Sequence, residues 1–132
     1  MNRPKPSSGT TMKILVVEDD ATDSKLILSV LRSAGHRVLA AASAEQAIPI
    51  AAAEHPDMVL LDLELPGMDG LSFAQQLHLA RETADIPLIA VTAYTDIFSR
   101  RAARAAGCRD YWVKPIDTRK LPGQVLLAAG RA

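Results

Sequence analysis

Met58-Val59-Leu60-Leu61-Asp62-Leu63-Glu64-Leu65-Pro66-Gly67-Met68-Asp69-Gly70-Leu71 decides the fold: an apolar run ends on a carboxylate, and a helical pattern begins near Leu71. A strand with one face in water would alternate polar and apolar residues. A run apolar throughout needs cover on both faces, the situation of a parallel sheet with helices above and below. The same unit recurs outward in both directions. Upstream, Ile14–Val17 is an apolar strand, and Leu26, Ile27, Val30, Leu31 and Ala34 recur at helical spacing until Gly35 stops the helix. Val38–Ala41 reads as the second strand, and Ser43 with Gln46 resembles a capping box opening a helix to about Glu54. Pro49 inside that helix removes a hydrogen bond, can cost about 3 kcal/mol, and predicts a kink.

Downstream of the opening stretch, a helix runs from about Leu71 to Ala80, a fourth strand over Ile86–Val91 and a helix over Ile97–Ala106 that ends at Gly107. Tyr111–Val113 is a short fifth strand, and a last helix spans about Thr118 to Ala129, its first turn disturbed by Pro122 and Gly123. Five β/α units predict an α/β fold: a doubly wound, five-stranded parallel sheet of order 2-1-3-4-5, flavodoxin-like, with helices on both faces. Ligands of such sheets bind beyond the carboxyl ends of the strands, at the switch point between strands 1 and 3.

The bulk numbers narrow the class. A chain of 132 residues, 48% hydrophobic and 23% charged, suits one globular domain. Lys+Arg and Asp+Glu each number 15, so no basic excess argues for nucleic acid or an anionic membrane as partner. Cys108 is the only cysteine, which excludes an intramolecular disulfide and leaves nothing pointing to an oxidising compartment. There is no apolar signal region and no run near the ~18 apolar residues of a membrane span, so a cytoplasmic protein is expected. Residues 1–11 read as a flexible tail and 12–132 as the domain, although Met12 could equally be the true start.

Chemistry gathers at the strand ends. Strand 1 runs into Glu18-Asp19-Asp20, strand 3 into Asp62, strand 4 into Thr92 and the small Ala93, and strand 5 into Lys114-Pro115. Three carboxylates in one crevice repel each other unless a cation neutralises them. Glu18, Asp19 and Asp62 would be balanced by Lys114 together with Mg²⁺, since hard oxygen ligands suit Mg²⁺ better than zinc or copper. A phosphoryl group on Asp62, acting as carboxylate nucleophile, would meet the metal, the lysine and the threonine hydroxyl. Taken singly, the acids could be a loop capping helix 1, Asp62 a turn residue and Lys114 a solvated charge. Their joint placement at four strand ends favours the site.

These same residues make the sequence resemble the receiver domains of bacterial two-component response regulators. The likeness rests on ILVVEDD (14–20), VLLDLELPGMDGL (59–71), IPLIAVTAY (86–94) and GCRDYWVKPI (107–116), and covers about Met12 to Ala129. It implies that Asp62 is the phosphoacceptor, served by a sensor histidine kinase or a histidine phosphotransfer protein. It implies Mg²⁺ on Asp19, Asp62 and the Glu64 backbone carbonyl, with Glu18 acting through water and Asp20 outside the acidic pair. Lys114, Thr92 and Ala93 would contact the phosphoryl group, and the Lys114–Pro115 peptide would be cis. Thr92 and Tyr111 would form a switch pair acting on the helix 4–strand 5–helix 5 face, while Glu64 and Tyr94 would tune hydrolysis, Tyr94 by shielding Asp62 from water.

The chain stops soon after the fifth unit, so the expected output is protein–protein contact with an unidentified downstream target rather than DNA binding or catalysis. Homodimerisation through the output face is left open. A haloacid-dehalogenase-type metal-dependent phosphatase would need an Asp two residues after the nucleophile, where Glu64 stands. A flavodoxin-like cofactor binder would need a phosphate-cradling loop where EDD stands. A phosphorylation-independent binding module remains the other class. His36, His55 and His78 are too scattered for a metal site and read as surface or loop residues, and Cys108 as a small buried one. Trp112 reads equally well on the output face or buried. Arg100, Arg101 and Arg104 read as a solvated helix face that a partner could meet.

Overall fold

The computed structural model describes residues 11–65 and 67–131, so the expected tail lies, Thr11 apart, outside the described residues. The elements are β1 (Lys13–Val17), α1 (Ala21–Ser33), β2 (Arg37–Ala41), α2 (Ala44–Glu54) and β3 (Met58–Asp62), then α3 (Gly70–Leu79), β4 (Leu88–Thr92), α4 (Ile97–Ala105), β5 (Cys108–Val113) and α5 (Leu121–Ala128). All neighbouring strands pair in parallel in the order β2-β1-β3-β4-β5, as the sequence pattern predicts.

Strand alternation divides the core into two layers. Leu15, Val17, Val59, Leu61, Leu88 and Ala90 face α2, α3 and α4, where Ala47, Phe73 and Ala103 are buried. Ile14, Val16, Met58, Leu60, Ile89 and Val91 face α1 and α5, through Ile27, Leu31, Leu121 and Val125. Leu26, expected in the stripe of α1, is exposed instead. Short polar caps fix where helices begin at the carboxyl edge of the sheet. Asp20, Asp69 and Asp96 accept the N–H groups of Asp23, Ser72 and Ser99 and so start α1, α3 and α4. The capping box of α2 forms with a shifted return bond: Ser43 Oγ accepts from Gln46 N, while the Gln46 amide oxygen accepts from Ala42 N rather than Ser43 N. The helix continues across Pro49 to Glu54.

Three elements differ at their starts by two residues or more, β4 among them, which begins at Leu88 rather than Ile86. β5 begins at Cys108, three residues before its apolar run, because Arg109 and Asp110 occupy the edge of the sheet, where polar side chains reach water. α5 begins at Leu121, with Pro122 in its first turn where a missing N–H removes no helical bond. Trp112 is half-buried against the α1–α5 core and donates its Nε1–H to Asp110 Oδ2 at 2.9 Å. Cys108 is buried, which pushes its thiol up to about 11. No helix among the described residues is long and apolar enough to cross a membrane.

One histidine corrects the surface reading. His36 is buried, and its Nδ1 accepts the Met12 N–H at 3.0 Å, which requires that nitrogen to be unprotonated. His55 is exposed beside Asp85, and His78 lies on α3 against Gly107. Burial, helped by the Arg131 charge, lowers the His36 pKa below its usual 6.5. The unfolded chain therefore takes up the proton first, and the stability His36 confers is present above about pH 6.5 and lost as pH falls below it. Urea unfolding across that range should show this acid slope in the wild type and a flatter one in His36→Gln. Equal slopes would sink the assignment.

Candidate functional site

The carboxyl edge brings residues far apart in sequence into one hollow. Glu18 follows β1 and Asp62 ends β3, at 3% and 4% exposure. Thr92, fully buried, ends β4, and Lys114 follows β5 with its backbone N–H on the Thr92 carbonyl at 2.8 Å. The Lys114–Pro115 peptide is cis, as the resemblance implies. Lys114 Nζ lies 2.9 Å from Glu18 Oε1 and 3.2 Å from Asp62 Oδ2. The other Asp62 oxygen accepts the Glu64 N–H at 2.8 Å, and Glu18 Oε2 accepts the Asp20 N–H at 3.1 Å. Asp20 itself caps α1, so the helix-cap reading holds for that residue alone.

Charge is out of balance here. Burial, and next the hydrogen bond to Asp62, push the Glu18 carboxyl up to about 7 against the pull of Lys114. Burial alone would lower the Lys114 pKa, but Glu18 and Asp62 outweigh it and raise it above the usual lysine range. One lysine thus leaves negative charge in excess. Glu18, Asp19 and Asp62 each offer an oxygen, all within 4.8 Å of one another. A hard dication of small radius fits such a donor set.

Asp23 belongs to this group and escaped the sequence reading: its Oδ2 is 3.4 Å from Lys114 Nζ, from the first turn of α1. Asp23, Ala93, Lys114 and Leu26 line a hollow of about 390 Å³ that opens the site to α1. The loop after β3 is pinned from α2, where Glu45 Oε2 accepts the Met68 N–H at 3.0 Å and packs on Gly67, held at φ 72.

On the opposite side, the β4–α4 loop is tied into a chain of contacts. Thr92 Oγ1 accepts the Tyr94 N–H at 3.2 Å, and the Tyr94 carbonyl accepts the Tyr111 hydroxyl at 2.7 Å. Tyr94 is exposed, and the Glu64 carboxylate beside it raises its hydroxyl pKa. Tyr111 is half-buried in β5, with the Arg100 guanidinium 4.8 Å from its ring centre.

Fold and edge together define a class: a doubly wound α/β protein with an acidic, lysine-bearing site at its switch point. The chain belongs to the response regulator receiver domain family, whose profile matches residues 14–126. It is similar to the probable transcriptional regulator ycf27 of Porphyridium aerugineum, 36% identical over 86% of this chain. The chain spans about half the length of that relative, 46%. It is also similar to protein PilH of Pseudomonas aeruginosa, 35% identical over 83% of this chain and 90% of that protein. Among solved structures it resembles the receiver domain of sensor histidine kinase PA1611 from Pseudomonas aeruginosa PAO1, with TM-score 0.83 and 32% identity over 91% of this chain and 98% of that one. That receiver domain has a magnesium ion coordinated in its active-site cleft. The chain is thus a receiver module of the two-component response regulator family, a family of signalling proteins.

Proposed function

We propose that this receiver accepts a phosphoryl group on Asp62 from a sensor histidine kinase or histidine phosphotransfer protein, in a Mg²⁺-dependent reaction in the cytoplasm, and signals through protein–protein contacts. The observation that carries the reading is the placing of Asp62: one carboxylate oxygen on Lys114 Nζ at 3.2 Å, the other on Glu64 N–H at 2.8 Å, with Glu18 and Asp19 beside it.

In the transfer, an Asp62 oxygen forms a bond to phosphorus as the bond from phosphorus to the donor imidazole nitrogen breaks, and the electron pair stays with that nitrogen. Asp19, Asp62 and the Glu64 backbone carbonyl would hold the metal directly, with Glu18 acting through water. When bound, the metal neutralises charge building on the phosphoryl oxygens. Lys114 would pair with those oxygens from the other side, and the Ala93 backbone and Thr92 hydroxyl would hydrogen-bond them. The modification adds about −1.5 to −2 charge. Thr92 would turn toward it and Tyr111 inward, giving up the Tyr94 carbonyl and shifting a pre-existing equilibrium of the α4–β5–α5 face. Tyr94 and Glu64 stand where they would set how fast water removes the group.

Incubation with acetyl phosphate, read by intact mass, should give a single phosphoryl adduct with Mg²⁺ and none in EDTA. No adduct under any condition would leave a receiver fold without receiver chemistry, acting as a phosphorylation-independent binding module.

A further inference from the structure

We propose that Asp23 is a specificity-determining residue for the phosphoryl donor: its charge, set at the mouth of the hollow, turns away small free anionic donors. This role rests on the phosphoacceptor reading and concerns which donors reach Asp62, not whether Asp62 accepts.

Asp23 is held where it stands. Its backbone N–H donates to Asp20 Oδ1 at 2.9 Å, which sets the first turn of α1, and its Oδ2 lies 3.4 Å from Lys114 Nζ. The three carboxylates on that ammonium are graded in depth. The side chains of Glu18 and Asp62 are 2% and 4% exposed at 2.9 and 3.2 Å, whereas that of Asp23 is 43% exposed at the longest distance. An ammonium has three protons, so these contacts use all of them. A phosphoryl oxygen that approaches Lys114 must displace one carboxylate. Asp23, the longest and most exposed contact, is the one to yield. Its charge then stays beside the incoming oxygens with no lysine proton on it.

The rest of the site does not cancel that charge. Glu18, Asp19 and Asp62 offer oxygens within 4.8 Å of one another, and Asp23 is outside that group. A dication held there and Lys114 bring three positive charges against four carboxylates, so one negative charge remains. The way in is the hollow of about 390 Å³. Among the described residues, Asp23 and Lys114 are its charged members, and Leu26, Ile27, Pro115 and Ile116 are apolar. Apolar walls concentrate the field of the few charges between them. A protein donor can set a cation of its own against Asp23, whereas a free acyl phosphate has none.

The test compares two small donors on the full chain: acetyl phosphate, a dianion at neutral pH, and phosphoramidate, a monoanion whose nitrogen is protonated. Initial rates are read by intact mass at Mg²⁺ concentrations that saturate each variant, set beforehand by calorimetry. Asp23→Asn should raise the rate roughly tenfold with acetyl phosphate and about threefold with phosphoramidate, as for a double and a single charge about 6 Å from a carboxylate in water. The gain should shrink as added salt screens the pair. Asp23→Glu restores the charge and should return both rates to within about twofold of wild type. Calorimetry without donor is the second readout: Asp23→Asn should bind Mg²⁺ within about threefold of wild type, because Asp23 is outside the ligand group. Equal factors for the two donors, a gain indifferent to salt, or a mutant slower than wild type with acetyl phosphate overturns the donor role and leaves the phosphoacceptor reading standing. So does a loss of Mg²⁺ affinity of roughly tenfold or more, which would place Asp23 with the metal. No adduct on wild type from either donor overturns both.

Discussion

Asp62→Asn is expected to take up no phosphoryl group from acetyl phosphate and Mg²⁺, and at the same time to unfold at higher urea than wild type in metal-free buffer. The two effects have one cause. Asp62 is a buried carboxylate at the end of β3 with a neighbouring lysine to receive negative oxygens. An amide has no comparable nucleophilic oxygen, so the loss of chemistry should be complete. For folding, the same carboxylate is a liability. Its charge adds to those of Glu18 and Asp19 within 4.8 Å, and Lys114 offsets only part of the sum. Asn keeps the oxygen that accepts the Glu64 N–H and drops the charge. At an effective dielectric near 20, relief of the two repulsions with Glu18 and Asp19, less one attraction to Lys114, is on the order of 2 kcal/mol. Adding Mg²⁺ should then narrow or reverse the order, because a ligand binding only the folded state stabilises it by about 2.7 kcal/mol at a hundred times its dissociation constant. An adduct on Asp62→Asn would move the acceptor elsewhere. A metal-free mutant less stable than wild type would show that the acids are not strained against each other.

The sheet was legible because β1, β3 and β4 are apolar at nearly every position, a pattern no half-exposed strand keeps. β5 was legible only in its second half. Arg109 and Asp110 look like loop residues until the strand is known to lie at an edge. Helix starts were readable to the residue at α2 and α4, where a Ser or Asp cap precedes them, missed by one residue at α3, and shifted by three at α5, which has no side-chain cap.

At the site, identity was readable and geometry was not. Which acids end strands follows from the pattern. That Lys114 reaches Glu18 and Asp62 follows from register: Asp62 pairs with Val91, and Thr92 with Val113, so residues more than fifty apart in the chain meet at one edge. Asp23 went unread because helical phase relative to the sheet decides whether a first-turn acid faces the hollow. His36 went unread for a similar reason. A polar residue in a turn looks solvated unless the neighbouring strand supplies an N–H that needs it, as Met12 does. The Arg100–Tyr111 contact joins two elements whose spacing only packing defines.

Gly70→Ala should be the most damaging single methyl in the chain, costing about 3 kcal/mol and slowing phosphorylation with it. Gly70 opens α3 without a positive φ, so the cost is contact rather than backbone strain. A Cβ there would sit 2.6 Å from Leu63 Cα and 2.8 Å from the Asp62 carbonyl oxygen, both backbone atoms with no rotamer to retreat into. Either α3 or the turn after β3 must shift. That turn carries the Glu64 N–H onto Asp62 Oδ1 and the Glu64 carbonyl that the proposed metal would use, so a displacement of a few tenths of an ångström is felt at the Asp62 carboxylate. Gly123→Ala is the control. It lies within α5 with open space at its Cβ position, and should stabilise by about 0.5–1 kcal/mol, the ordinary gain of Ala over Gly in a helix. Urea midpoints for both variants, with initial rates of acetyl phosphate modification, separate close packing from generic glycine effects. Gly70→Ala should fall on both readouts and Gly123→Ala on neither, and equal behaviour of the two would mean that the turn bearing Asp62 is not held by α3 at all.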